Sequence, residues 1–251
     1  AFFKEYYSIN NVVIAIVGDI KPQEAIQEME KTFGRIAPRP VPPPLTLKEP
    51  EQEGERSVHI EYDANPFFTM AFHRPDFKDP DDAVFDVIES LLSSGRTSLL
   101  YKHLVTEKQI AISVSADSSE PGTKYPSLFM ISGAPRAPHT LQELEAALWD
   151  EITRLKEEPV KEQELQKVIN QFDGSLTRSL ESNSGLASQL AYFEAVTGDW
   201  KYLVRQREKM KAIRPEDVQR VVRKYFTRKN RIVATLSRPE NDEKVPQNGG
   251  K

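Results

Sequence analysis

The chain contains no cysteine. That excludes a disulfide framework, a thiolate zinc site and a cysteine nucleophile. Long apolar runs are missing as well: none approaches the ~18 consecutive apolar residues of a membrane-spanning helix. Histidine is scarce. His59, His73, His103 and His139 are the four present, and no two stand three to five residues apart. The sequence therefore has neither HExxH nor the inverted HxxEH of metallopeptidase helices. It has no G-x-S-x-G elbow and no P-loop. The stretch "LLSSGRTS" from Leu91 holds one glycine, too few to cradle a phosphate. Positive charge is not in excess either. Lys and Arg number 34 against 38 Asp and Glu, a net charge of -4, which argues against the basic stripe of a nucleic-acid surface.

What remains is 251 residues, 38% of them hydrophobic, enough for a core in one or two domains. One feature is a repeat. "EYYSINNVVIAIVGD" from Glu5 returns as "KYFTRKNRIVATLSR" from Lys224, at a constant offset of 219 residues. Tyr6 and Tyr7 meet Tyr225 and Phe226, Ser8 meets Thr227, and Asn11 meets Asn230. Val13, Ile14, Ala15 and Val17 meet Ile232, Val233, Ala234 and Leu236. An aromatic pair, a polar turn and an apolar run read as helix end, turn and strand, and a fixed-period match marks duplicated units. The second copy would then close a complete domain, and the first would be the tail of a preceding homologous one. A chain opening on Ala1 fits a piece of something longer.

Residues 2–7 read as a last helical turn and residues 11–17 as a strand buried on both faces. A helix follows, with Ala25, Ile26, Met29 and Phe33 on one side and Gly34 suited to its C-cap. Six prolines lie between Pro38 and Pro50, the composition of a semi-rigid linker; the PxxP spacing in "PRPVPP" leaves an SH3-type ligand as the minor alternative. The expected organisation is a tail over 1–37, a Pro-rich linker over 38–55, a domain over 56–240 and a disordered tail over 241–251. Inside the domain, "SVHIEYD" alternates as a half-buried strand and "FFTMAFHRP" forms a second. Two helices follow, "DPDDAVFDVIESLLSSG" and the shorter "RTSLLYKHLVTEKQ". "IAISVSADS" and "YPSLFMISGA" form a meander. Helices are expected over 140–157, 161–181, 184–197, "GDWKYLVRQREKMKAI" and "RPEDVQRVVRKYF", before the closing strand "NRIVATLS". Strands grouped apart from helices make this an α+β fold: a mostly antiparallel sheet with helices packed on one face.

No catalytic constellation emerges. His59 and His73 sit on strands as surface or satisfied residues. His103 precedes Glu107 by four, the spacing of a helix ion pair. Ser182 and Ser184 lie in a polar cap with no histidine nearby.

The motifs together resemble pitrilysin-type zinc metallopeptidases (inverzincins), the group that includes insulin-degrading enzyme and the mitochondrial processing peptidase. "FFKEYYSINNVVIAIVGDI" with the helix ending "TFGRI" is similar to the close of the family's first domain, with Ile9 where proline is usual. "VIESLLSSGRTSLLYKHLVTEKQIAISVSA" and "NQFDGSLTRSLESNSGLASQLAYFEAVTGDW" are similar to segments of its second domain. The resemblance implies the LuxS/processing-peptidase-like metallohydrolase fold and a C-terminal noncatalytic domain. It implies that zinc is held in the parent chain, by an HxxEH helix and a distal Glu in the first domain. No metal ligand and no catalytic residue carries over to this sequence. The family's Arg and Tyr, seven positions apart, align with Val105 and Ile112, and neither side chain can hydrogen-bond a substrate. The implied role is a noncatalytic second domain that supports a peptide-binding chamber and is inactive alone. The alternative on the same fold is a noncatalytic scaffold or interaction protein, and a weaker one is a peptide-binding module using its strand edges. The implied partners are a zinc-bearing first domain or subunit and a peptide substrate. The bacterial periplasm is the compartment suggested by analogy.

Overall fold

A computed structural model describes residues 2–46 and 48–239; the tail expected over 241–251 lies outside them. The elements run α1 (Phe2–Tyr6), α2 (Pro22–Thr32), β1 (Arg56–Glu61), β2 (Phe67–Arg74) and α3 (Asp82–Ser93). A π-helical segment, Tyr101–Glu107, leads to β3 (Ala111–Glu120) and β4 (Ser127–Pro135). Then come α4 (Leu141–Glu157), α5 (Glu162–Leu180), α6 (Asn183–Thr197), α7 (Tyr202–Ala212), α8 (Pro215–Tyr225) and β5 (Arg231–Ser237).

Two compact units result. One comprises Gln52–Leu165 and the chain from Arg214 onward. It holds a five-stranded sheet in the order β1-β5-β2-β4-β3. β1 and β5 are parallel and the other pairs antiparallel. Alternation places Phe68, Met70 and Phe72 of β2, with Phe129 and Ile131 of β4, on one face, each fully buried. α3 packs on β3, α4 on β4 and β2, and α8 on β2, α3 and α4. Val84, Phe85, Ile88, Leu92, Leu148, Val218 and Val222 supply the helical side of this core. The fold is therefore α+β with helices on one face of a mostly antiparallel sheet.

Local chemistry explains the helix ends. Thr140 and Glu143 form a capping box at the start of α4, satisfying two orphan N–H groups at once. Pro215 occupies the first turn of α8, where a missing N–H costs nothing. Ser182 caps α6, and Gly198 ends it with a φ of 73°, a conformation that favours glycine.

The other unit comprises residues 1–51 and 166–213. Here the sequence expectation over 11–17 fails. Ile9–Asn11 is a 3-10 turn, and Val12–Val17 carry no strand. Val12, Val13, Ile14 and Ile16 are between 39% and 52% exposed. A strand needs a neighbour for its N–H and C=O groups, and no described strand runs beside this segment. The turn before it does repeat. Asn11 Nδ2 donates to Tyr6 O at 2.9 Å, and Asn230 Nδ2 donates to Tyr225 O at 2.8 Å. Asn11 N donates to Ser8 O, and Asn230 N to Thr227 O.

β1 also departs from expectation. Instead of a half-buried strand, all six residues are exposed. β1 lies at the sheet edge, beyond β5, while the helices lie over β2, β3 and β4.

Candidate functional site

Val105 is half-buried on the π-helical segment. Ile112 stands at the second position of β3 and is 61% exposed. Between them Gln109 takes a φ of 53°, which turns the chain from helix to strand. The pairing of β3 with β4 passes from Ala111 to Ser113 through a register shift. Ile112 is the residue left over, and a bulge of this kind re-aims a side chain. The backbone thus presents position 112 to solvent, and the side chain presented is aliphatic. It offers neither a hydrogen bond nor a charge to a peptide.

The histidines do not converge. His59 Nδ1 lies 2.8 Å from Thr235 Oγ1, and its Nε2 lies 3.2 Å from Ser237 Oγ. His73 faces Asn230, and His139 faces Glu143 at 3.3 Å. His103 does not pair with Glu107. Its Nδ1 lies 2.8 Å from Glu151 of α4, and Lys102 is the residue near Glu107. Glu151 is buried and also accepts from Arg154 at 3.2 Å. The pull of a buried carboxylate outweighs a solvent-exposed i,i+4 contact, and only tertiary packing brings it within reach. Catalytic zinc needs three converging protein ligands. No cluster of three or more His, Cys, Asp or Glu among the described residues could hold a metal, so these donors do not fit that ion.

The strongest electrostatics are structural, and sequence patterning had marked these residues only as an acidic helix start. Asp81 accepts from Arg220 at 2.7 Å, Lys224 at 3.0 Å and Tyr225 at 3.1 Å. Burial works to raise its pKa, yet the hydrogen bonds from Lys224 and Arg220 hold it below the usual value. Arg74, fully buried, donates to Asp82 and to Ser118 O, and stacks 4.6 Å from the Phe85 ring centroid. Asp86 and Glu89, further along α3, receive Ser118 Oγ at 2.8 Å and Ser118 N at 3.2 Å. Burial, reinforced by Asp82, pushes Asp86 up to about 7. These carboxylates tie α3 to the end of β3.

A groove of about 570 Å³ runs beside β1 and β5 on the helical side of the sheet. Ser57, His59, Thr235 and Ser237 form its floor, and Leu141 and Glu145 of α4 form a wall. Arg231 lies between Glu55 and Glu145, at 2.8 Å from each. Hydrogen bonding from Arg231 holds Glu55 below the usual carboxylate range. The floor is polar: His59 stands between the Thr235 and Ser237 hydroxyls, with no buried carboxylate beside it to orient the ring.

A family model described as the peptidase M16 inactive domain matches residues 1–172. The zinc protease PqqE of Helicobacter pylori is 28% identical over 236 residues, covering 90% of this chain and 51% of that protein. The chain spans about half the length of the curated relatives it matches. Among solved structures, a protease from Helicobacter pylori superposes with a TM-score of 0.81 at 22% identity, covering 88% of this chain and 54% of that one. The periplasmic protease PqqL of Escherichia coli superposes with a TM-score of 0.66 at 18% identity, over 88% of this chain and 25% of that one.

Proposed function

The chain belongs to the family of peptidase M16 inactive domains, and from that membership we propose that it is the noncatalytic second domain of a zinc-dependent endopeptidase. It supports a peptide-binding chamber and holds a zinc-bearing domain or subunit in place. Alone it does not cleave peptides. The observation that carries this reading is the pair Val105 and Ile112: the bulge exposes position 112, and the side chains there and at 105 cannot hydrogen-bond a substrate carbonyl or an oxyanion. Zinc belongs, on this reading, to the domain or subunit that this chain braces.

The domain boundaries form part of the proposal. Residues 1–37 close a preceding homologous domain, and residues 38–55 link it to the domain from residue 56. The repeated Asn turn supports this. So does the register. Residues 12–18 correspond to β5, a central strand with one parallel and one antiparallel neighbour. Likeness to a periplasmic protease favours a bacterial periplasm as the compartment.

The test is metal content by elemental analysis, with peptide cleavage, on this chain and on a version extended upstream. Zinc and cleavage in the extended version alone fit the proposal. Neither in both, even with a co-expressed partner, moves the reading to a scaffold protein. Chelator-sensitive cleavage by this chain alone overturns it.

A further inference from the structure

Three cations converge on one ring. Lys156 Nζ lies 4.7 Å from the centroid of the Trp149 ring, and the guanidinium carbons of Arg231 and Arg228 lie 4.9 and 5.1 Å from it. Each is within reach of cation–π attraction. Two elements bring them together. α4 carries Trp149 and Lys156, and the turn from α8 into β5 carries Arg228 and Arg231. Arg223 of α8 joins them, because its Nε donates to Lys156 O at 2.8 Å. Lys229, exposed, follows Arg228 in the same turn.

The cations are unequally compensated. Arg231 is buried and lies 2.8 Å from both Glu55 and Glu145. Arg228, with a side chain 69% exposed, reaches Glu55 only at 4.0 Å. Among the described residues Lys156, Arg223 and Lys229 form no ion pair, although Glu157 and Glu158 follow Lys156 directly. Burial, with repulsion from Arg228, lowers the pKa of Lys156. Like charges held this close repel. Trp149 and the Arg223 bond keep them together, and an anion laid across Lys156 and Arg228 would relieve the repulsion.

The chain's own use of this face identifies the anion. The extended segment before β1 lies along the same turn. Gln52 Nε2 donates to Lys229 O at 2.9 Å and to Arg231 O at 2.8 Å, and three residues on Glu55 supplies its carboxylate to Arg231. A carboxylate on an extended chain is therefore a ligand this surface already takes. The cations it leaves without one are Lys156, Arg223 and Lys229. We propose that the Trp149 face docks an acidic segment of a partner protein, with one Asp or Glu bridging Lys156 and Arg228 and further carboxylates on Arg223 and Lys229. Charge complementarity sets the choice of partner and speeds its approach.

The test uses the full chain and two labelled peptides of equal length, one alternating Glu and Ser, the other Gln and Ser. The Glu–Ser peptide should bind and weaken with salt. It should also change the fluorescence of Trp149 in a Trp200→Phe background, where Trp149 is the one tryptophan left. The Gln–Ser peptide should bind at least about tenfold more weakly. Lys156→Gln with Arg228→Gln should cost at least about tenfold in affinity for the Glu–Ser peptide. Its melting temperature should move by no more than about 2 °C, since repulsion is relieved. Arg228→Glu leaves Lys156 on its ring and should weaken the same peptide. Lys201→Gln with Lys209→Gln removes two cations that lie over Trp200 and Tyr202 instead and should leave the affinity unchanged. No binding, equal affinity for the two peptides, full affinity in Arg228→Glu, or equal losses in the two double variants each overturns the proposal. Inorganic phosphate binding as tightly as the peptide would show a small-anion site and overturn it too. So would binding to phosphatidylserine vesicles but not to the peptide, which would show a membrane face. Neither zinc nor cleavage is read, so its failure and that of the peptidase-domain reading are separable.

Discussion

Asn11 and Asn230 make the same turn, but only Asn230 also reaches a strand. Its Nδ2 donates to His73 O at 2.9 Å as well as to Tyr225 O. The first copy therefore keeps the local half of the motif and lacks the tertiary half. Asn230→Ala should cost about 1–3 kcal/mol in urea denaturation, because half-buried carbonyls lose their donor. Asn11→Ala should fall within about 0.5 kcal/mol, as exposed substitutions do. Equal costs would contradict this account.

The exposed segment Val12–Val17 gives a second prediction. In this chain its amides should exchange with solvent quickly, since they have no sheet partner. In a version extended upstream they should become as protected as Val233 and Ala234 of β5. Continued fast exchange there would remove the support for 1–37 as the close of another domain.

Asp86 makes stability depend on pH. Its folded pKa is raised to about 7 from 3.8, so the folded state binds the proton more tightly than the unfolded chain. Stability contributed this way is full below about pH 4 and is lost as pH rises through about 7. Asp86→Asn should flatten that slope in thermal melts and stabilise the protein at pH 8 relative to the parent. An unchanged slope would show that Asp86 does not titrate in that window.

Arg74 and Asp82 form a buried pair, with side chains 0% and 5% exposed. Arg74→Met leaves Asp82 without its cation and should cost about 3–5 kcal/mol. Arg74→Met with Asp82→Leu should cost less than Arg74→Met alone, because the carboxylate that faced the cation is removed with it. Additive losses in denaturant titrations would refute the coupling.

Val105→Arg with Ile112→Tyr places at these positions the pair that, on the proposed reading, they lack. The chain alone should still cleave no peptide, and stability should change by about 0.5 kcal/mol or less at Ile112, which is solvent-facing. Cleavage appearing in the double variant would show that the missing machinery lies in this chain.

Much of the fold was legible because the signals are local. A helix expected over 140–157 is found at Leu141–Glu157, and its capping box lies within four consecutive residues. The strand ending at Pro75 and the closing strand from Asn230 appear as β2 and β5. The failures share one cause. Residues 12–17 have strand composition but no strand beside them among the described residues, and β1 alternates yet lies outside the helical layer. Spacing pairs His103 with Glu107, four residues on, whereas its carboxylate in the fold is Glu151. Periodicity reports which face of an element is apolar. It does not report what stands opposite that face.

Sequence alone determined the α+β order of elements, the duplicated turn, and the aliphatic residues at 105 and 112. Each depends on residues close along the chain or on side-chain chemistry, which no fold can alter. Tertiary structure decided the rest. It set the strand order that makes β1 an open edge and β5 a central strand, and the bulge that exposes Ile112. It also set the burial that raises the pKa of Asp86. Hydrogen-bond partners across a sheet and the desolvation of a carboxylate are properties of residues far apart in sequence, and only folding brings them together.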